Sequence, residues 1–130
     1  MAVRRARDAP PGRLDPNTPP SERRCMNDVF LMPWSVAADG PPDTARVRAK
    51  MEALGYAVTS YTYPPGADFP FHSHAYDKCS SVLEGEFVVT VGSRTWTFVP
   101  GALLFIPAGV EHAARVVGAG AVTSLDGVRR

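Results

Sequence analysis

Gly66-Ala-Asp-Phe-Pro-Phe-His72-Ser-His74 and Gly101-Ala-Leu-Leu-Phe-Ile-Pro107-Ala-Gly109-Val-Glu-His112 are the two stretches that decide how this 130-residue chain folds. His72 and His74 are two residues apart. On an extended strand both imidazoles leave the same face, roughly 7 Å apart at the backbone. Two rings at that spacing can lean onto one cation with bonds of roughly 2 Å. His112 follows 38 residues after His74 and joins the pair only if the sheet folds back on itself, as a barrel does. Isolated histidines are more often satisfied polar residues than ligands. Here all 3 histidines of the chain fall inside two segments framed by glycine and proline.

The neighbouring sequence reads as short strands. Tyr56–Tyr63 alternates until Pro64-Pro65-Gly66 breaks it, and Lys78–Glu84, Glu86–Val91, Arg94–Val99, Leu103–Ile106 and Ala113–Val117 follow. Each is bounded by glycine or proline, and Gly92-Ser93 suits a two-residue hairpin turn. Many short strands at close spacing define a sandwich or barrel. Phe87, Val89 and Val91 share one strand face and Trp96 and Phe98 another; one set is expected to fill the barrel and the other to pack outward. Before the strands, Asp43–Leu54 predicts one short helix, capped by Asp43 and stopped by Gly55, with Val47, Met51 and Leu54 on its apolar face.

Composition narrows the class. Residues 1–25 carry five prolines and few large apolar groups. Such a segment cannot bury enough surface to offset its ordering entropy, which predicts a disordered tail ahead of a domain over 26–130. Met26 is an alternative start. Six arginines against three acids give residues 1–24 a local +3, within a formal net charge of +1. No global basic field argues for nucleic acid, no window is apolar enough for a membrane span, and with no apolar run behind the N-terminal arginines a secretory signal is not expected. Cys25 and Cys79 do not make a disulfide framework, so reduced thiols in a cytoplasmic protein are expected.

The two histidine segments resemble the motifs of the cupin family. The first motif, G-x5-H-x-H-x3-E-x6-G, is matched by Gly66, His72, His74 and Gly85; the second, G-x5-P-x-G-x2-H-x3-N, by Gly101, Pro107, Gly109 and His112. The resemblance covers about residues 56–125. It implies an all-β fold, the double-stranded β-helix or jelly-roll barrel, with a divalent metal near its mouth held by His72, His74 and His112. Two positions depart from the pattern: Lys78 stands where the family has a metal-binding glutamate, and Val116 replaces the terminal asparagine.

Lys78 has the strand parity of His72 and His74, so its ammonium is expected to point into the site. Three readings are open. The barrel holds no metal and binds a small ligand by hydrogen bonds. Alternatively, a three-histidine metal site leaves the full +2 on the ion and favours an anionic chelating substrate that Lys78 pairs with. Or a desolvated Lys78 loses its proton and acts as a base. The second is preferred. Tyr76, also of inward parity, is a candidate hydrogen-bond donor to substrate, its bland alternative being an aromatic at the barrel mouth. Cys79, of opposite parity, reads as a core thiol.

The expected function is therefore a metal-dependent small-molecule enzyme, either dioxygenase-like or using Lewis-acid chemistry on an anionic or enolisable substrate. Fe(II) is favoured, with Mn, Ni, Co or Zn as alternatives. The competing class is a non-catalytic, metal-free, small-ligand-binding barrel. A homodimer is expected, because open sheet edges need cover and the apolar Val29–Trp34 segment has no partner in the barrel motifs.

Overall fold

The computed structural model describes residues 28–130. The expected tail over 1–25, Cys25 and the alternative start at Met26 lie outside the described residues.

Among the described residues nine strands form two antiparallel sheets. In chain order they are β1 (Phe30–Met32), β2 (Ala57–Tyr63), β3 (Asp68–His72), β4 (Asp77–Glu84), β5 (Glu86–Val91), β6 (Arg94–Thr97), β7 (Leu103–Ile106), β8 (His112–Val117) and β9 (Val122–Arg129). One sheet runs β1-β7-β4-β9-β2 and the other β3-β8-β5-β6. This is the jelly-roll barrel expected from the sequence. The period of two in each strand sorts the side chains. Even-numbered residues of β7 and β9, such as Leu104, Ile106 and Val122, join Val82, Phe87, Val89 and Val116 in the core between the sheets. Odd-numbered Leu103 and Leu125 face outward and join Cys79, Tyr56, Val47 and Met51 in a second core.

That second core is the underside of a helix. Before β2, the chain forms α1 (Val36–Asp39) and α2 (Thr44–Ala53). The Asp43 side chain caps α2 by accepting from the Arg46 amide at 2.8 Å, satisfying a backbone donor with no partner inside the helix. Val47 and Met51 are fully buried against the five-stranded sheet.

Four expectations change. A second short helix, α1, precedes the one foreseen, capped by Ser35. Leu54 does not share the buried face of α2; it sits at the C-cap and is exposed. The barrel continues past 125, because β9 runs to Arg129 between β4 and β2. Trp96 and Phe98 do not pack opposite to Phe87, Val89 and Val91, since all five fill the inner core. Val89 is directly paired with Trp96, and residues directly opposite in an antiparallel ladder share a face. The Val29–Trp34 segment also finds its place: β1 pairs with β7, Val29 enters the inner core, and Met32 and Trp34 pack against the outer one.

Candidate metal centre

His72 and His112 are cross-strand partners, directly opposite each other on β3 and β8, so both rings point to the same face. His74 lies past the end of β3, in the link to β4. Its position is held by the second histidine segment: the Gly109 amide donates to the His74 carbonyl at 2.8 Å, and the Ala108 amide donates to Asp77 Oδ1 at 2.9 Å. The three side chains converge, with one potential ligand nitrogen from each lying within 4.8 Å of the others.

The outer nitrogens are all engaged. His72 Nδ1 lies 2.6 Å from the Pro70 carbonyl, and His112 Nδ1 lies 3.0 Å from the Val110 carbonyl. A carbonyl only accepts, so both rings carry their proton on Nδ1 and present the Nε2 lone pair inward. His74 Nδ1 is 3.1 Å from the Tyr76 hydroxyl. The Nε2 atoms of His74 and His112 are buried and have no hydrogen-bond partner. Leaving two buried ring nitrogens unmatched costs about 1–3 kcal/mol each, and a shared cation would satisfy both at once. Burial also keeps these rings neutral. It lowers the His112 pKa to about 4, with the neighbouring histidines and Lys78 adding to the effect, and it lowers that of His74 in the same direction, again with help from Lys78. Neutral imidazoles at pH 7 are the form that ligates a metal.

Beside the histidines is a cavity of about 60 Å³ whose walls include His72, His112, Lys78, Ser80, Tyr63 and Asp126, with Phe69, Phe87, Val89, Ile106 and Ala114 as its apolar part. Lys78 is thus placed at the same cavity as two of the histidines, and its Nζ lies 3.7 Å from Asp126 Oδ2. Tyr76 does not line this cavity: its hydroxyl meets the outer nitrogen of His74, and the Arg130 guanidinium lies 5.1 Å over its ring. Tyr76 therefore touches the histidine cluster from behind, not from the cavity. Cys79 is wholly buried in the outer core, and burial pushes its thiol pKa up to about 12, which keeps it protonated and unreactive.

Asp126, Tyr63 and Ser80 went unread in the sequence. The signal for Asp126 is the alternation Val122, Ser124, Asp126 along β9, a strand that follows Gly118 and Gly120. A larger cleft of about 550 Å³ lies on the outer face, walled by Phe30, Tyr56, Phe105 and Arg129 among others. None of the described residues lining it is a histidine.

Residues 59–127 match the family model of the cupin domain, and the chain belongs to that family. No protein of curated function matches it in sequence. Among solved structures it is similar to the DMSP lyase DddQ from Ruegeria pomeroyi DSS-3, at 27% identity and a TM-score of 0.53 over 58% of this chain and 39% of that one. A structure of the DMSP lyases RdDddP and RnDddQII matches at 25% identity and a TM-score of 0.52, over 58% of this chain and 38% of that one. A protein of unknown function from Rhizobium leguminosarum bv. viciae 3841 matches at 27% identity and a TM-score of 0.50, over 58% of this chain and 71% of that one. The matched part thus spans well under half the length of either lyase chain.

Proposed function

We propose that this cupin is a metal-dependent enzyme acting on a small organic anion, with a divalent metal held by the Nε2 atoms of His72, His74 and His112. The observation that carries this reading is the pair of buried, unpartnered Nε2 atoms, in rings whose opposite nitrogens are all engaged. Fe(II) is the favoured ion, with Mn, Ni, Co or Zn also suited to imidazole; bound there, it supplies Lewis acidity or oxygen activation.

The chain's own residues set the rest. Three neutral ligands cancel none of the metal's charge, and the Lys78 ammonium, balanced by Asp126 at the same cavity, adds hydrogen-bond donors, so the site attracts a carboxylate or enolate. Phe69, Phe87 and Val89 offer an apolar wall to the remainder of the substrate. A cavity of about 60 Å³ is far below the roughly 300–1,000 Å³ of drug-sized sites, so the reacting portion is a few heavy atoms. Likeness to two lyase structures favours a substrate that enolises or eliminates over one that is oxygenated. Tyr76 serves by holding His74.

The test is metal content of tag-free protein, measured beside His72→Ala and His112→Ala. Near-stoichiometric metal lost in both variants supports the reading. Less than roughly a tenth of an equivalent, even after anaerobic reconstitution with Fe(II), overturns it, because such ligand sets bind tightly when intact. The barrel would then be a small-ligand-binding module.

A cytoplasmic homodimer, without nucleic acid or membrane as partner, completes the proposal. Strand β1 is a sheet edge whose Phe30 is 55% exposed, which suits pairing with a second copy. No helix among the described residues is long and apolar enough to cross a membrane. A monomer by light scattering at working concentration would remove the dimer.

A further inference from the structure

Asp126 is a buried carboxylate on β9 with an unusual set of partners. Its Oδ2 accepts from the Tyr63 hydroxyl at 2.7 Å. Its Oδ1 accepts from Ser80 at 3.0 Å, and Ser124 shares its one proton between Oδ1 at 3.3 Å and the Ser81 carbonyl at 3.2 Å. A carboxylate offers about four lone-pair sites, so three hydroxyls from three strands fix its position and orientation. The nearest cation is Lys78, whose Nζ lies 3.7 Å from Oδ2. That separation gives charge attraction but is too long for a hydrogen bond. No described residue accepts a hydrogen bond from Lys78 Nζ, although the side chain is only 20% exposed and borders the histidine cavity. The ammonium is thus held in place while its three donors stay available.

We propose that Asp126 is a positioning residue for anion recognition: locked by Tyr63, Ser80 and Ser124, it holds the Lys78 ammonium by charge alone and leaves its donors to a ligand carboxylate bound beside the histidines. This rests on the anion-binding reading above and names the residue that makes it selective. The sign of the effect distinguishes the role. A buried negative charge that only sits near the site repels an anion, so removing it tightens anion binding. A carboxylate that aims the lysine does the opposite.

The probes are pyruvate and its neutral counterpart pyruvamide. They are titrated into Co(II)-loaded protein, followed by visible absorption, and into metal-free protein, followed by calorimetry. Lys78→Met is expected to weaken pyruvate roughly tenfold, the worth of a charge-assisted hydrogen bond, and to leave pyruvamide within about twofold. Asp126→Asn is expected to weaken pyruvate to a similar degree. In the Lys78→Met background it should weaken pyruvate no further, because both act through one ammonium. Pyruvate binding that is unchanged or tighter in Asp126→Asn overturns the proposal. If Asp126→Asn does not fold, Tyr63→Phe removes one oxygen from the same hub; roughly threefold weaker pyruvate supports the role, and no change overturns it. Failure of wild-type protein to take up Co(II) sinks the three-histidine metal reading alone, since the sign of the Asp126 effect is read equally in the metal-free barrel. Failure of pyruvate to bind either form sinks the positioning role itself.

Discussion

Lys78 and Asp126 are diagonal neighbours across the β4–β9 ladder, where Lys78 pairs with Val128 and Ser80 with Asp126, and their charged ends approach to 3.7 Å. Side chains two positions off direct register share a face and lie within reach of long residues. The lysine that departs from the family motif therefore arrives with its own counter-charge, supplied by a strand more than 40 residues downstream.

Restoring the family's glutamate is expected to be harmful on its own. Lys78→Glu places a second carboxylate beside Asp126 and removes the latter's counter-charge, a change worth roughly 2–4 kcal/mol for partly buried groups. Metal affinity should rise while the melting temperature of the metal-free protein falls. Adding Asp126→Asn should recover much of the lost stability. Unchanged metal affinity in Lys78→Glu would count against an ammonium facing the ligand set.

Metal-free protein should lose stability on mild acidification. The folded-state pKa of His112 is lowered to about 4 by burial, against roughly 6.5 unfolded. Between those values the unfolded chain binds a proton that the folded chain does not, so stability is full above the unfolded value and is lost as pH falls. The full span corresponds to roughly 3 kcal/mol, with His74 shifted in the same direction. Urea midpoints at pH 7.5 and pH 5 measure it. His112→Gln should flatten most of the dependence.

Tyr76→Phe should weaken metal binding without unfolding the barrel. Among the described residues the hydroxyl meets only the outer nitrogen of His74, and loss of such an orienting partner typically costs roughly 10–100-fold in metal affinity. Competition with a chelating dye measures the change, and equal affinity would leave Tyr76 without that role.

Two motif glycines should differ sharply. Gly66 and Gly85 both have positive φ, but a Cβ at Gly66 meets nothing within 4 Å, while one at Gly85 lies 2.4 Å from the Ala121 carbonyl oxygen. Gly66→Ala should cost only the left-handed backbone penalty, about 1–2 kcal/mol. Gly85→Ala should cost several kcal/mol, because the backbone itself must shift. Chemical denaturation of both variants compares them directly.

Most of the barrel was legible because strand, turn and ligand signals coincide in one short region. Glycines and prolines mark the strand ends, and the histidine offsets fix which faces meet. Phe87, Val89 and Val91 were set on the opposite face from Trp96 and Phe98 because parity orders side chains along one strand but not between strands; the β5–β6 register decides that. β9 went unread because its inner face, Val122, Ser124 and Asp126, mixes an apolar residue with a hydroxyl and a carboxylate that look like loop residues until Tyr63, Ser80 and Lys78 surround them. The second helix escaped notice for want of length: four residues carry little periodicity, and Ser35 signals a start without an apolar face behind it.

The placement of β9 also bears on how the protein is made. The last of the described strands to be synthesised is a central one, lying between β4 and β2. Until Val122–Arg129 leave the ribosome, both of those strands expose an unpaired edge, and Lys78 and Tyr63 lack the carboxylate they share. Because the pairings of β9 are long-range, closure must wait for the finished segment. Nascent chains stalled before residue 122 should therefore present two sticky edges to chaperones, and among the described strands the Lys78–Asp126 corner is the last to be completed.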